Sequence, residues 1–126
     1  WQPSLLPLKT WNRVGGLSEE FSPGMGSDPD LDMKLWKIGV RRFKGIGKCR
    51  AYHFSSITLR KDIASKNNGA KIFLKKWGIT IKFFKKFYLR SNEKYDGLLT
   101  EPKKRFNYFF ELLICKINLF YLKLLN

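Results

Sequence analysis

Apolar residues recur at helical spacing in the segment that follows Pro29. Three of them stand at i, i+4 and i+7, on one face of a helix: Leu31, Leu35 and Ile38. Asp28 directly precedes Pro29, and this pair suits an N-cap followed by the first helical position, where a missing N–H costs nothing. Gly39 supplies a C-terminal stop. The pattern therefore predicts a helix from Asp28 to about Ile38.

The pattern changes after this helix. The segments VRRF (40–43) and CRAYHF (49–54) lie on either side of Gly45 and Gly47, and both are typical of short strands. Together they predict a β-hairpin. If the second segment is extended, Cys49, Ala51 and His53 share one of its faces.

Helical spacing returns further along the chain. One helix is predicted from Asn67 or Asn68 through Trp77, where Gly78 ends it. A second is predicted from an N-cap at Thr80 through Arg90.

The segment from Pro102 to Asn126 shows no alternation and predicts one long helix with two broad apolar flanks. Glu111, Lys116 and Lys123 interrupt its apolar runs, so the roughly 20 clean residues that a spanning helix needs are not present. We expect an amphipathic helix that lies at a membrane interface or docks on a partner.

Charge is distributed unevenly along the chain. The net charge is +15, from 25 Lys and Arg against 10 Asp and Glu. Residues 1–33 hold five acids and two bases, a net charge of −3, whereas residues 34–59 hold seven bases and no acid. A charge this positive indicates polyanionic partners. The acids gather around Asp28, Asp30 and Asp32.

The acidic helix start has two chemical interpretations. Glycines before it allow the backbone to approach a ligand, and a carboxylate at Asp28 could then act as a general base from a rigid helix. Alternatively, Asp28 caps the helix while Asp30 and Asp32 offset its dipole, which is the commoner use of such residues. The residues alone leave both open and favour capping.

Several stretches together resemble the C-terminal half of a family 2 glycosyltransferase of the GT-A fold. A GG-containing loop, an acidic helix start that ends in Gly, and a YH-type strand follow one another in that family. The matching stretches here are WNRVGGLSEEF (11–21), SDPDLDMKLWKIG (27–39), AYHFSS (51–56) and NNGAKIFLKKWGI (67–79). The resemblance implies an α/β fold of short strands plus helices, followed by C-terminal amphipathic helices.

The resemblance also implies roles for individual residues. Asp28 matches the catalytic base that deprotonates the acceptor hydroxyl. His53 matches a ligand of a divalent metal, Mg²⁺ or Mn²⁺, on the donor diphosphate; from the residue alone, His53 could equally be hydrogen-bonded to backbone. The positions that match the substrate cleft are Gly15, Gly16, Met25, Gly26 and Ser27. Many family members carry Glu or Asp immediately before the catalytic base, where this chain has Ser27. The role of that preceding acid is therefore not transferred to this chain.

The domain organisation expected from this interpretation has three parts. Residues 1–62 form the acceptor-side half of the catalytic domain, 63–100 a basic helical extension, and 101–126 the amphipathic helix, associated with a membrane. Because the chain opens at Trp1 and shows no DxD-bearing nucleotide-binding half, we expect a fragment of a longer enzyme that is inactive alone.

Partners and location follow from the same interpretation. We expect a nucleotide-sugar donor, a glycan or lipid-linked acceptor, and an anionic membrane surface. Cys49 and Cys115 stand apart without a CxxC spacing, which favours a reducing, cytoplasmic setting. The resemblance further implies a place at the inner face of the cell membrane. The alternative is a basic module that binds nucleic acid or membrane without catalysis. No RNP, KH or zinc pattern supports nucleic acid, so nucleic acid is not expected.

Overall fold

The computed structural model describes residues 4–22, 25–46, 48 and 68–125. Its helices are α1 (Leu8–Val14), a short 3₁₀ helix (Glu19–Phe21), α2 (Ser27–Lys37), α3 (Gly69–Trp77), α4 (Ile81–Phe87) and α5 (Phe106–Leu124). The chain divides into two compact units. The first unit comprises 1–40 and 44–69, and the second comprises 41–43 and 70–126.

The predicted α/β fold class is wrong, because none of the described residues lies in a β-strand. The segment 40–43, expected as the first strand of a hairpin, is irregular. Leu99 N donates to Arg41 O at 2.8 Å, and the Arg41 guanidinium lies 2.6 Å from Glu101 Oε1, so this segment contacts residues far along the chain. The second predicted strand, 49–54, lies outside the described residues.

Helix α2 confirms the predicted helix, with an N-cap two residues earlier than expected. Gly26 is the N-cap with φ 93°, and Pro29 lies in the first turn, where its missing N–H costs no hydrogen bond. At the other end Gly39 has φ 92° and donates to Trp36 O at 3.0 Å, while Val40 N donates to Leu35 O at 3.0 Å. This pair of bonds is a Schellman motif, and Gly39 fits it because glycine adopts a left-handed conformation at little cost. Three side chains of α2 form much of the first unit's core: Leu31, Leu35 and Trp36.

Helices α3 and α4 supply the aromatic core of the second unit. Phe73, Phe83 and Phe84 are all but inaccessible to solvent, and the ring centroids of Phe73 and Phe84 lie 6.2 Å apart. The predicted N-cap at Thr80 is confirmed, since its hydroxyl accepts from Phe83 N at 3.1 Å. Gly78, with φ 72°, follows the end of α3 as predicted.

One side of α5 packs on α4. Tyr108 is buried, and its ring centroid lies 5.1 Å from that of Phe83 and 5.2 Å from that of Phe87. Two turns further on, the thiol of Cys115 is buried and accepts from Thr80 N at 3.5 Å. Within the described ranges, no helix is long and apolar enough to cross a membrane.

The phenol of Tyr88 is expected to make the second unit less stable in alkali. Burial raises the pKa of Tyr88 well above its ordinary value of 10.0, and a hydrogen bond with Tyr108 acts in the same direction. In the unfolded chain the phenol loses its proton near pH 10, while the folded chain keeps it. The unfolded state then binds fewer protons, so the free energy of unfolding falls as the pH rises above about 10.

We therefore expect Tyr88→Phe to flatten this alkaline loss of stability. The ring contacts, such as the 5.5 Å centroid distance to Phe84, are kept by phenylalanine. Urea unfolding of both proteins at about pH 9 and about pH 11 measures the difference. The same decline in both proteins would exclude a role for the Tyr88 proton.

Candidate functional site

The Gly15-Gly16 turn is built by the end of α1. Gly15 N donates to Asn12 O and Gly16 N to Trp11 O, both at 3.2 Å, and the two glycines have φ values of 73° and 60°. A Cβ on Gly16 would lie 2.7 Å from Cζ2 of Trp11. Glycine at position 16 therefore serves both the left-handed backbone and the close packing of the indole ring.

A buried carboxylate ties this turn to α2. Asp30 is fully buried, and its Oδ2 accepts from the Ser18 hydroxyl at 2.6 Å. The ammonium of Lys34, one turn later, lies 3.7 Å from the same oxygen and donates to Gly16 O at 2.6 Å. The side chains of Asp30, Lys34 and Ser18 thus hold the GG turn against the acidic helix start. These contacts connect the GG turn at 15–16 with the helix that carries Asp28, two features that the resemblance assigns to one site.

Asp28 lies in the first turn of α2 and is half-buried. The predicted N-cap at Asp28 is wrong, because the N-cap of α2 is Gly26. Among the described residues, no hydrogen bond or ion pair to the Asp28 carboxylate is present. The group is therefore fixed by a rigid helix at its backbone while its side-chain oxygens stay available for a ligand.

The remaining predicted cleft residues directly precede Asp28 in the chain: Met25, Gly26 and Ser27. Met25 is half exposed, and Ser27 is the first residue of α2. A Cβ on Gly26 would lie 3.0 Å from Cδ1 of the fully buried Phe21 and 3.1 Å from Gly69 O. Position 26 therefore has neither the space nor the backbone conformation for a larger residue.

The predicted metal ligand His53 lies outside the described residues. In the ranges that the structure describes, no group of three or more His, Cys, Asp or Glu could hold a metal ion. The metal therefore stays a prediction.

Sequence reasoning missed the supporting roles of Ser18, Asp30 and Lys34. The one local signal was the i, i+4 spacing of Asp30 and Lys34, which suits an ion pair on a helix. That spacing alone does not distinguish an exposed pair from the buried one found here.

No protein-family model matches this chain, and neither a curated protein nor a solved structure does so. The family resemblance therefore depends on the stretches quoted above and on how their residues are arranged.

Proposed function

We propose that this chain supplies the acceptor-side part of a family 2 glycosyltransferase, with Asp28 as the general base. The observation that carries this proposal is the burial of the Asp28 carboxylate and its lack of hydrogen bonds among the described residues. Its carboxylate lies half-buried at the start of α2, and no hydrogen bond to it is present among the described residues. A carboxylate used for capping would instead accept from the backbone of its own helix.

The reaction requires a single proton acceptor in this part of the enzyme. Asp28 takes the proton of the acceptor hydroxyl, and the oxygen attacks the anomeric carbon of the donor sugar. The bond from that carbon to the diphosphate oxygen breaks, and the nucleoside diphosphate leaves with the electron pair. Attack on the face opposite the leaving group inverts the anomeric configuration. The resemblance assigns His53 to a divalent metal, Mg²⁺ or Mn²⁺, which when bound offsets the charge on the leaving diphosphate.

The surroundings of Asp28 suit this role. A general base must be held within hydrogen-bond reach of the proton that it takes. The contacts of Asp30 with Ser18 and Lys34 fix the first turn of α2 and thereby the backbone that carries Asp28. The seven bases of residues 34–59, with no acid among them, favour the approach of a polyanionic donor.

A transfer assay tests the proposal. The protein, in the longest form that its gene encodes, is incubated with radiolabelled nucleotide sugars, a lipid-linked acceptor and Mn²⁺ or Mg²⁺. We expect label to move to the acceptor, EDTA to abolish the transfer, and added metal to restore it. We also expect the protein to fractionate with the inner face of the cell membrane, on the cytoplasmic side. Tight, salt-sensitive nucleic-acid binding without any nucleotide-sugar binding would instead favour the non-catalytic alternative.

A further inference from the structure

We propose that the outer side of α5 docks on an anionic lipid surface, which goes beyond the catalytic proposal and does not depend on it. The inner side of α5 is already used, because Tyr108 and Cys115 are only 7% and 2% exposed there. At 100° per residue, these two residues point in nearly the same direction. Apolar residues on the opposite side of α5 therefore take no part in the packing of α5 on α4.

Nine apolar residues occupy that opposite side, and we call them the open face. Five are aromatic, with 54% to 86% of each side chain exposed: Phe106, Phe109, Phe110, Phe120 and Tyr121. The other four are aliphatic and 41% to 65% exposed: Leu113, Ile114, Ile117 and Leu124. On a helical projection all nine fall within an arc of about 140°, centred opposite the packed side. The open face is therefore one continuous apolar surface along the helix.

The size of the open face calls for an occupant. The five aromatic side chains alone expose roughly 500 Å². The four aliphatic side chains add to this area, and soluble proteins rarely leave a larger contiguous apolar patch without a binding role. The 19 residues of α5 span about 28 Å. Since α5 does not qualify as a helix that crosses a membrane, the geometry favours a helix that lies along the bilayer surface.

Charge favours lipid over a second copy of the chain. Lys116 and Lys123 follow one edge of the open face, and Lys103, Lys104 and Arg105 directly precede the helix. Glu111, the one acid of α5, is paired with Lys86 of α4. Residues 70–125 carry thirteen bases and four acids, so two copies joined through α5 would bring like charges together. An anionic bilayer accepts the apolar side chains and pairs with the lysines at their edge.

The test compares two double variants of the full chain on vesicles of phosphatidylcholine with about 30% phosphatidylserine. Phe110→Gln with Ile117→Gln removes two apolar side chains from the open face. Asn107→Gln with Asn118→Gln is the matched control, because it alters two exposed residues of the same helix without changing charge or apolar area. All four positions are exposed or half-exposed, and far-UV circular dichroism verifies that helix content is kept.

We expect the open-face variant to bind the vesicles about 30-fold more weakly than the wild type, while the control binds within about twofold. Wild-type binding should fall at least about tenfold on vesicles of phosphatidylcholine alone, and should also fall with added salt. Equal binding by both double variants would overturn the proposal. So would wild-type dimers that the open-face variant abolishes, in the absence of vesicle binding, because a second copy would then cover this face.

Discussion

Asp28→Asn, made in the longest form of the protein that its gene encodes, is expected to lower kcat for glycosyl transfer by about 10² to 10⁴, the usual contribution of a positioned general base. The carboxamide has nearly the shape of the carboxylate but cannot take the acceptor proton. Because no hydrogen bond to the Asp28 side chain is present among the described residues, the substitution should leave α2 intact. The Michaelis constant for the donor should therefore stay within about threefold of the wild-type value.

A second substitution in the same helix separates loss of a base from a general disturbance. Asp32→Asn is the matched control, since it makes the same chemical change one turn further along α2. If Asp28→Asn keeps kcat within about threefold of the wild type, Asp28 is not the base and the proposed function loses its main support.

Local signals predicted helices α2 to α5 well. The N-cap at Thr80, the stop at Gly39 and the periodicity of Leu31 and Leu35 each depend on residues within one or two turns of one another. Such features can be recognised from spacing alone. The start of α5 was expected at Pro102 and lies four residues later, at Phe106, within the usual uncertainty of a boundary predicted from sequence.

The first predicted strand, 40–43, is irregular because a strand is defined by its partner and not by its own residues. Val40 to Phe43 has the composition of a strand. In this segment Arg41 O accepts from Leu99 N, more than fifty residues away, and the side chain of Arg41 meets Glu101. No spacing rule indicates either partner.

In the candidate site, too, sequence reasoning predicts features that depend on neighbouring residues and misses those that depend on distant ones. The sequence placed Asp28 at a helix start beside glycines, which is a local property. Burial of Asp30 depends on Ser18 and Lys34 meeting around it, and a run of three acids at 28, 30 and 32 gives no sign of which one is buried. Sequence reasoning assigned Asp30 to the helix dipole, whereas in the structure it connects the GG turn to α2.

Asp30→Ala is expected to destabilise the first unit by about 3 kcal/mol. Removing one member of a buried ion pair typically costs about 3 to 5 kcal/mol, because the remaining charge is left without its partner. The lower figure applies here because the side chain of Lys34 is 17% exposed, so water can compensate part of its lost interaction. The Ser18 hydroxyl also loses its acceptor.

Chemical denaturation followed by far-UV circular dichroism, with hydrogen exchange on the amides of α2, measures this loss. Asp28→Ala is the matched control, because it deletes a carboxylate from the same turn of the same helix, and this carboxylate has no hydrogen bond or ion pair among the described residues. The control should cost less than about 1 kcal/mol, the value of a charge near a helix start.

Asp30→Ala combined with Lys34→Met should cost less than the sum of the two single changes, since the residual buried charge is then absent. Equal costs for Asp30→Ala and Asp28→Ala would show that the buried pair does not hold the GG turn to α2, and the positioning of Asp28 would then need another cause.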